Sequence, residues 1–192
     1  MKTIAYTAIT GRDNPREDIK CFSEYAEFNK PVLNAKIYKL LPWQFLDADI
    51  SIWMDGNLFP NVNNEFLVSL LGDNDMALFA HPVRHTVHEE KNAIQYFYPK
   101  HWLMVENYWN RLVELGFKDD QGLAHCGIII RRHNDKVKEF CNAWFSEILT
   151  QCTRDQMSFP YVRSLIKDIK IKIITEPKEQ PDCFTQIHHL DQ

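Results

Sequence analysis

The sequence contains little glycine: 6 residues in a chain of 192. Neither G-x-G-x-x-G nor G-x-x-x-x-G-K-[ST] occurs anywhere along it. Both patterns use glycine to bring backbone N–H groups close to the phosphates of a nucleotide. The sequence therefore predicts neither a dinucleotide-binding Rossmann site nor a P-loop.

The five cysteines form no recognisable framework. Their number is odd and no C-x-x-C pair occurs, so neither a zinc ribbon nor a complete set of disulfides is predicted. We expect reduced thiols and a cytoplasmic location. The first ten residues, MKTIAYTAIT, lack the features of a signal peptide. No stretch approaches the ~20 uninterrupted apolar residues of a membrane helix, so no transmembrane segment is predicted.

An excess of positive charge is also missing. Lysine and arginine number 22 against 26 for aspartate and glutamate, which gives a formal net charge of −4. Sequence-independent binding to nucleic acid depends on clustered cations, so no nucleic-acid partner is predicted. The hydrophobic fraction of 45% is typical of a globular domain. We predict one domain over residues 1–175, with residues 176–192 as a polar tail packed on its surface.

Short apolar segments alternate with amphipathic segments along the chain. Residues 3–9, Ile50–Met54 and Met76–Ala80 are predicted strands, because each is a short apolar run bounded by turn-forming residues. Residues 137–148 are a predicted helix, because apolar side chains recur there at i, i+3 and i+4. This alternation is typical of a three-layer α/β domain.

The predicted strand Ile50–Met54 is followed by Asp55-Gly56-Asn57. Ligands of open α/β sheets collect beyond the carboxyl ends of the strands. A carboxylate and an amide on one side of a tight turn present two oxygen ligands, which Mg²⁺ or Mn²⁺ can accept while keeping positions open for a diphosphate. The alternative is an ordinary β-turn, which the tripeptide alone favours.

Two lysines precede this strand on a predicted helix, residues 35–46, which Pro42 should kink or end. Lys36 and Lys39 are three residues apart and therefore share one face of the helix. Together they could neutralise a diphosphate. The alternative is a solvated cationic face, which the spacing alone favours.

The tetrapeptide Thr153-Arg154-Asp155-Gln156 precedes another predicted helix. Thr153 and Gln156 fit a capping box, and Asp155 in the first turn would complement the helix dipole. This structural interpretation explains the motif without any function. In the functional interpretation, Asp155 is a general base or accepts a hydrogen bond from a sugar hydroxyl. Arg154 and Gln156 would then orient groups beside it, and both interpretations stay open.

Histidines cluster at two places in the chain. Residues 81–90 contain three histidines in eight residues, beginning at His81, but their spacing is not that of a zinc site. The start of the segment is instead predicted to be a polar loop that faces a cleft, and residues 86–97 are predicted to be helical, with Thr86 and Glu89 at capping-box spacing. The tail carries His188 and His189. One of them could fold back to complete a metal shell, although an exposed pair is the simpler interpretation.

Six segments of the chain, in order, resemble the motifs of one family. Residues 51–57 have the sequence S-I-W-M-D-G-N, which is similar to the family pattern Y-S-I-W-[IM]-D-G-N, and residues 154–160 match R-D-Q-x-S-F-P. Less specific similarity covers residues 3–10, 35–42, 79–90 and 122–133. The chain is thereby identified as a member of a glycosyltransferase-like family, once classified as a domain of unknown function and known from plants and microbes.

This resemblance implies a GT-A-like fold, a single-domain three-layer α/β/α sandwich with a mostly parallel mixed central sheet. It implies transfer of a hexose or deoxyhexose from a nucleotide-diphosphate-sugar, with a UDP-sugar favoured, to a hydroxyl of a glycan or glycoconjugate. The chain is short for such an enzyme, which leaves room for further domains or a partner to supply the acceptor site. The alternatives are a catalytically weak carbohydrate-binding module and a hydrolase, an activity assigned to some relatives.

The resemblance also implies a cofactor and its ligands. Mn²⁺ or Mg²⁺ on Asp55, aided by Asn57 and His188, would stabilise the leaving diphosphate as a Lewis acid. Two positions depart from the family pattern. His125 stands where an acidic residue is common, and Asn57 takes the last place of the D-x-D found in many GT-A enzymes. Since an amide is a weaker ligand than a carboxylate, we expect low metal affinity, or a metal that depends on the donor diphosphate.

The remaining implied roles concern the donor and the acceptor. Asp155 would be the base in an inverting reaction, or would bind the donor sugar in a retaining one. Residues 125–127, with Trp53 or His81 nearby, would shape the sugar and acceptor sites. The implied nucleotide-sugar-binding residues are Thr7, Ala8, Ile9, Lys36, Lys39, Asp55, His81, Cys126, Gly127, Arg154 and Gln156.

Overall fold

A computed structural model of the protein describes residues 1–11, 16–24, 27–175 and 183–186. The strands are β1 (Thr3–Ala8), β2 (Lys20–Phe22), β3 (Ile50–Met54), β4 (Leu58–Pro60), β5 (Met76–Ala80), β6 (Ala124–Arg132), β7 (Ile171–Ile174) and β8 (Phe184–Gln186). The α-helices are α1 (Pro31–Leu40), α2 (Asn64–Leu71), α3 (Val87–Phe97), α4 (Trp102–Glu114), α5 (Asp135–Thr150) and α6 (Asp155–Leu165). Among the described residues, no helix has the length and apolarity that crossing a membrane requires.

Six strands form a central sheet in the order β2-β1-β3-β6-β5-β7. β1 pairs in parallel with β2 and β3, and β5 pairs in parallel with β7. β6 is antiparallel to both of its neighbours, β3 and β5. Five strands therefore run in one direction and one runs in the other, which confirms the predicted mostly parallel mixed sheet.

The sheet separates two apolar cores because side chains alternate between its faces. On one face, Ile50, Ile52 and Met54 of β3 pack in a core with the leucines of α2. On the other face, Trp53 packs in a core that includes Trp144 of α5 and residues of α1 and α6. Helices thus cover both faces, and the predicted three-layer α/β/α architecture is confirmed.

The carboxyl ends of the five parallel strands meet at one edge of the sheet. The turn at Asp55 follows β3 there, and the loop at His81 follows β5. β6 runs in the opposite direction, so it contributes its first residues, including His125, to the same edge. The topology therefore gathers segments from distant parts of the sequence along what we call the carboxyl edge.

Two parts of the predicted organisation were wrong. The helix predicted over residues 35–46 is α1, which begins at Pro31 and ends at Leu40, followed by a 3₁₀ turn at Pro42–Gln44. Proline suits the first turn of a helix because its missing N–H has no intrahelical acceptor there. The capping box at Thr153 is also absent, since the N-cap of α6 is Arg154 and makes no side-chain cap hydrogen bond.

The structure describes residues 183–186 of the predicted tail, of which Phe184–Gln186 form β8. β8 pairs antiparallel with β4, and Cys183 just before it is buried. Neither of these three-residue strands was predicted, because a run so short shows no periodicity. The predicted boundary at residue 175 stays a prediction, and His188 lies outside the described residues.

Candidate functional site

A cleft of about 430 Å³ opens at the carboxyl edge of the sheet. α1 and α6 form one wall, and the turn after β3 lies across from them with β4 and β8. The predicted residues that line this cleft are Lys36, Asp55, Asn57, His125, Arg154, Asp155 and Gln156. A second depression, at the opposite edge near Asp49 and Arg132, is lined by none of the predicted residues.

Two lysines and two aspartates are connected by a chain of three ion pairs at this cleft. Asp155 Oδ2 accepts Lys36 Nζ at 2.5 Å and Lys39 Nζ at 2.6 Å. Lys39 Nζ also contacts Asp55 Oδ1 at 2.9 Å. We call Lys36, Lys39, Asp55 and Asp155 the charge array. Its formal charges sum to zero, and its members come from α1, the turn after β3 and α6.

Local structure explains how these side chains meet. Lys39 lies in the last turn of α1, where a cation interacts favourably with the helix dipole, and Asp155 lies in the first turn of α6, where an anion does. The C-terminal part of α1 therefore approaches the N-terminus of α6 with complementary charges. The fully buried guanidinium of Arg131 donates to the backbone carbonyl of Lys39, which fixes the end of α1 from behind.

The ionisation of the array follows from its burial. Burial by itself would raise the pKa of Asp155, but the ammonium groups of Lys36 and Lys39 outweigh that effect and hold the pKa well below its ordinary value. Burial would lower the pKa of Lys39, whereas Asp155 and Asp55 together raise it above the ordinary value. Asp155 is thus a carboxylate at neutral pH and a weak proton acceptor.

Asp55 differs from Asp155 in its exposure. Its Oδ1 accepts Trp53 Nε1 at 2.8 Å as well as Lys39, and its side chain is 40% exposed. Its backbone N–H donates to the carbonyl of Gly127 at 2.8 Å, and its carbonyl accepts the N–H of Leu58, which closes the turn. Asp55-Gly56-Asn57 therefore forms a turn and also contributes to the cleft. The two interpretations of this tripeptide, an ordinary β-turn and a ligand-binding segment, are compatible.

Asp55 and Asn57 are the side chains in the cleft that could bind a divalent cation. Within residues 1–11, 16–24, 27–175 and 183–186, no group of three histidine, cysteine or acidic side chains is arranged to hold a metal. Asp55 and Asn57 line the same cleft, and Asp55 Oδ2 has no hydrogen-bond donor among the described side chains. Mg²⁺ keeps several waters and often takes substrate phosphates as ligands. Two oxygen-bearing side chains therefore fit a cation completed by a diphosphate rather than an all-protein cage.

The start of β6 carries an irregular backbone beside the array. Cys126 has φ 59°, a left-handed conformation that is rare for a residue with a side chain. A Cβ on Gly127 would lie 2.6 Å from Leu58 Cδ1 and 2.7 Å from His125 Cε1, so only glycine fits there. Burial raises the pKa of the Cys126 thiol well above its ordinary value, which makes it a poor nucleophile.

His125 faces the cleft next to this irregularity. Its ring stacks on Phe184 of β8 with centroids 6.1 Å apart, and its carbonyl accepts Gln156 Nε2 at 3.2 Å. Its Nδ1 is buried and has no hydrogen-bond partner among the described residues. Burial lowers the pKa of His125, so the ring is neutral at physiological pH. The imidazole can therefore exchange a hydrogen bond with a ligand hydroxyl.

The family model TOD1/MUCI70, glycosyltransferase-like domain, matches residues 22–189, a range that contains every residue lining the cleft. The chain belongs to the TOD1/MUCI70 glycosyltransferase-like family. The resemblance seen in the sequence is thus confirmed at the level of the family.

The fold of this TOD1/MUCI70 chain is similar to that of a solved glycosyltransferase structure. A glycosyltransferase involved in the glycosylation of the major capsid of PBCV-1 aligns over 97% of this chain and 93% of its own, with 10% identity and a TM-score of 0.55. A197 from STIV aligns over 100% of this chain and 87% of its own, with 9% identity and a TM-score of 0.47. No curated protein sequence matches the chain.

Besides Lys39, Cys126 and Gly127, three predicted residues of this TOD1/MUCI70 chain at the end of β1 lie outside the cleft lining. Thr7, Ala8 and Ile9 sit at the end of β1, where a Cβ on Gly56 would meet Ile9 Cγ1 at 3.1 Å. Thr7 Oγ1 is buried without a partner among the described residues. These residues therefore support the turn that carries Asp55, and their predicted contact with a nucleotide stays a prediction.

His81 is also outside the cleft lining and has a structural explanation. Its Nδ1 accepts the backbone N–H groups of Val83 and Arg84 at 3.2 and 3.0 Å. Burial, followed by the charge of Arg84, lowers the pKa of His81 to about 4. The neutral ring thus organises the loop after β5.

The sequence did not identify Glu90 as part of the site. This carboxylate is 1% exposed and pairs with Arg84 at 2.5 Å and with Arg154 at 3.5 Å. Arg154 lines the cleft, so a residue of α3 holds a cleft cation from behind. Glu90 lies in a segment that resembles the family motifs, but nothing in its spacing indicated these partners.

Proposed function

We propose that the protein transfers a sugar from a nucleotide-diphosphate-sugar to a hydroxyl of a glycan or glycoconjugate. The observation that carries this proposal is the charge array, placed at the ligand-binding edge of a TOD1/MUCI70 domain. Stability is a poor alternative explanation for the array. Buried ion pairs often contribute no more than apolar residues of similar size, because desolvation offsets their attraction.

Lys36 is the residue best placed to meet the diphosphate. It lines the cleft from α1, and its side chain retains 13% exposure, whereas Lys39 is 2% exposed and lies behind it. As the glycosidic bond breaks, negative charge develops on the leaving diphosphate. Ammonium groups already held in a partly buried cleft stabilise that charge without reorganising at the moment of reaction.

Asp55 and Asn57 are the proposed ligands of a divalent cation that arrives with the donor. A bound Mn²⁺ or Mg²⁺ would act as a Lewis acid on the diphosphate. Lys39 keeps Asp55 Oδ1 in place through its 2.9 Å contact and leaves the exposed side of the carboxylate to the ligand. We retain a UDP-sugar as the favoured donor.

The ion pairs favour one of the two roles considered for Asp155. A carboxylate whose pKa is held low by two ammonium groups is a weak general base, but it remains a strong hydrogen-bond acceptor. We therefore propose that Asp155 binds hydroxyl groups of the donor sugar. Gln156, which also donates to the carbonyl of His125, would fix the orientation of that sugar.

A thermal-shift screen of nucleotide sugars with and without Mn²⁺ tests the proposal. A ligand that binds only the folded state at 100 times its Kd stabilises the protein by about 2.7 kcal/mol. We expect one donor to raise the Tm of the protein, with a larger shift when Mn²⁺ is present. Asp55→Asn should lose the Mn²⁺-dependent part of that shift. Asp47→Asn, which alters a fully solvated carboxylate paired with Lys2, is the matched control.

Turnover separates the transferase from its alternatives. Acceptor-dependent release of the nucleoside diphosphate would support transfer, whereas donor binding without release across an acceptor panel would favour a carbohydrate-binding module. The thiol beside the array gives the hydrolase alternative no support, because burial raises the pKa of Cys126 well above its ordinary value and makes it a poor nucleophile. A protein that binds no nucleotide sugar under any of these conditions would refute the proposal.

A further inference from the structure

Three consecutive aromatic residues at the end of α3 are exposed. Tyr96 is 81% exposed, Phe97 64% and Tyr98 52%. Soluble proteins usually bury rings of this size, since each square ångström of apolar surface left in water forgoes about 25 cal/mol. A contiguous exposed patch of such residues commonly marks a binding surface. None of these three side chains has a role in the chemistry proposed for the cleft.

The periodicity of α3 determines where two of these rings face. The buried positions of the helix are Val87, Glu90, Lys91 and Ile94. Continuing that stripe by three and four residues reaches Phe97 and Tyr98. The stripe faces α4 and α6, the helices against which α3 packs. Phe97 therefore extends the inward side of α3 beyond the end of its core, and Tyr98, the C-cap, lies against Arg154 at the start of α6.

Contacts connect this aromatic run to the cleft. The guanidinium of Arg154 lies 5.0 Å from the centre of the Tyr98 ring, and Arg154 lines the cleft beside Asp155. The 3₁₀ turn Pro99–His101 follows directly, and His101 lines the cleft as well. The rings of Tyr96 and Phe97 lie 4.9 Å apart and meet edge to face. The run thus starts at the rim of the cleft and leads away from it.

We propose that Tyr96, Phe97 and Tyr98 form a ledge that binds sugar rings of a glycan-chain acceptor. This inference rests on the proposed function, because a transferred sugar needs an acceptor hydroxyl beside the array. Pyranose rings stack their C–H faces on aromatic rings, and tyrosine adds a hydroxyl for hydrogen bonding. Continuity with the cleft supports a glycan as the occupant: one sugar can lie at the array while its neighbours extend over the ledge.

The experiment compares binding of the full chain and its variants to a printed glycan array, with UDP and Mn²⁺ present. The test variant is Tyr96→Ala/Phe97→Ala, which leaves the Tyr98–Arg154 contact intact. Two lost ring contacts should weaken glycan binding by about tenfold or more. The matched control is Val113→Ala/Leu115→Ala, which removes side chains of 56% and 54% exposure at the far end of α4. They follow His101 at the opposite end of α4, a helix of 13 residues that is about 20 Å long.

The outcomes separate the ledge from the proposed function. Weakened glycan binding in the test variant but not in the control supports the ledge, provided circular dichroism shows an unchanged helix content. Unchanged glycan binding in the test variant overturns the ledge, and so does a wild-type protein that binds donor but no glycan. Preferential binding to anionic vesicles or to a peptide library, lost in the same variant, would also overturn the glycan assignment. Donor binding is read separately by thermal shift, so its absence counts against the proposed function alone.

Discussion

The two edges of the central sheet use charged residues in different ways. At the carboxyl edge, the members of the charge array bind one another in front of a cleft. At the opposite edge, Asp75 accepts Asn134 Nδ2 at 2.7 Å and the backbone N–H of Lys170 at 2.9 Å, and Arg132 donates to two backbone carbonyls.

This contrast separates charges that hold the fold from charges that are available to a ligand. A carboxylate bonded to backbone N–H groups satisfies donors that no other group can satisfy, so its removal damages the structure. Lysine ammonium groups that contact carboxylates across a cleft can be shared with an incoming phosphate. The same residue types therefore support structure at one edge and a site at the other.

Lys39→Ala should have the largest effect, because it leaves two carboxylates of the array without their shared cation. Breaking a buried ion pair by removing one partner costs about 3–5 kcal/mol of stability. We expect the unfolding free energy in urea to fall by this amount and donor-induced thermal shifts to disappear. The double variant Lys39→Met/Asp155→Asn should recover part of the stability but none of the donor binding. Full donor binding in either variant would contradict a role for the array.

Gly127→Ala should have the next largest effect. The new Cβ would clash with Leu58 and His125, and overpacking of this kind costs about 1–3 kcal/mol. Because His125 must move, donor binding should weaken as well. Gly122→Ala is the control for a glycine replacement without a clash: Gly122, unlike Gly127, has a positive φ, 73°, and nothing lies within 4 Å of its added Cβ. Its cost is about 1–2 kcal/mol of backbone strain, with donor binding unchanged. Equal loss of donor binding in both variants would contradict the prediction that displacement of His125 weakens donor binding.

Asp75→Ala tests the opposite edge of the sheet. Losing the hydrogen bonds to Asn134 and Lys170 should lower the unfolding free energy by about 1–3 kcal/mol. The Kd for the donor, measured by calorimetry, should stay within about twofold of the wild-type value, because Asp75 lies at the edge of the sheet opposite to the cleft. A twofold change in Kd corresponds to RT ln 2, which is less than the free energy of one hydrogen bond. A larger change in Kd would mean that the two edges are coupled.

The smallest effect concerns the pH dependence of stability. The pKa of Asp155 is lowered in the folded state, so its stabilising contribution is fully present above the unfolded value of about 3.9. That contribution is lost as the pH falls below that value toward the folded-state pKa. The difference in unfolding free energy between wild type and Asp155→Asn should therefore shrink between pH 5 and pH 3. A difference that stays constant over this range would show that the ion pairs do not set the ionisation of Asp155.

The sequence predicted the strongest elements accurately. Ile50–Met54 and Met76–Ala80 are strands with the predicted bounds, because each is a buried apolar run ended by turn chemistry. The helix predicted over residues 137–148 lies within α5, whose apolar stripe follows the helical period. The start of α1 was missed because its first turn breaks the apolar pattern: Val32 is exposed, Leu33 packs against the core, and the buried Asn34 is polar.

The candidate site was predictable in its members but not in their connections. Lys36, Asp55 and Asp155 were each singled out from local motifs and from the family resemblance, and the cleft brings them together. Nothing local indicated that Lys39 joins both carboxylates, or that Glu90 holds Arg154. Likewise, the unpartnered Nδ1 of His125 and its stacking on Phe184 depend on a three-residue strand that has no periodicity.

The sequence by itself determined the alternation of strands and helices, the charges available, and the family, because these depend on neighbouring residues or on motifs read in order. Only the tertiary structure decided which charges meet. Lys36 and Asp155 are 119 residues apart in the chain, and their contact arises where the C-terminal half of α1 meets the start of α6 on the same face of the sheet. No periodic pattern in the sequence predicts an ion pair over that separation, because its geometry depends on how the helices pack on the sheet and not on neighbouring residues in the chain.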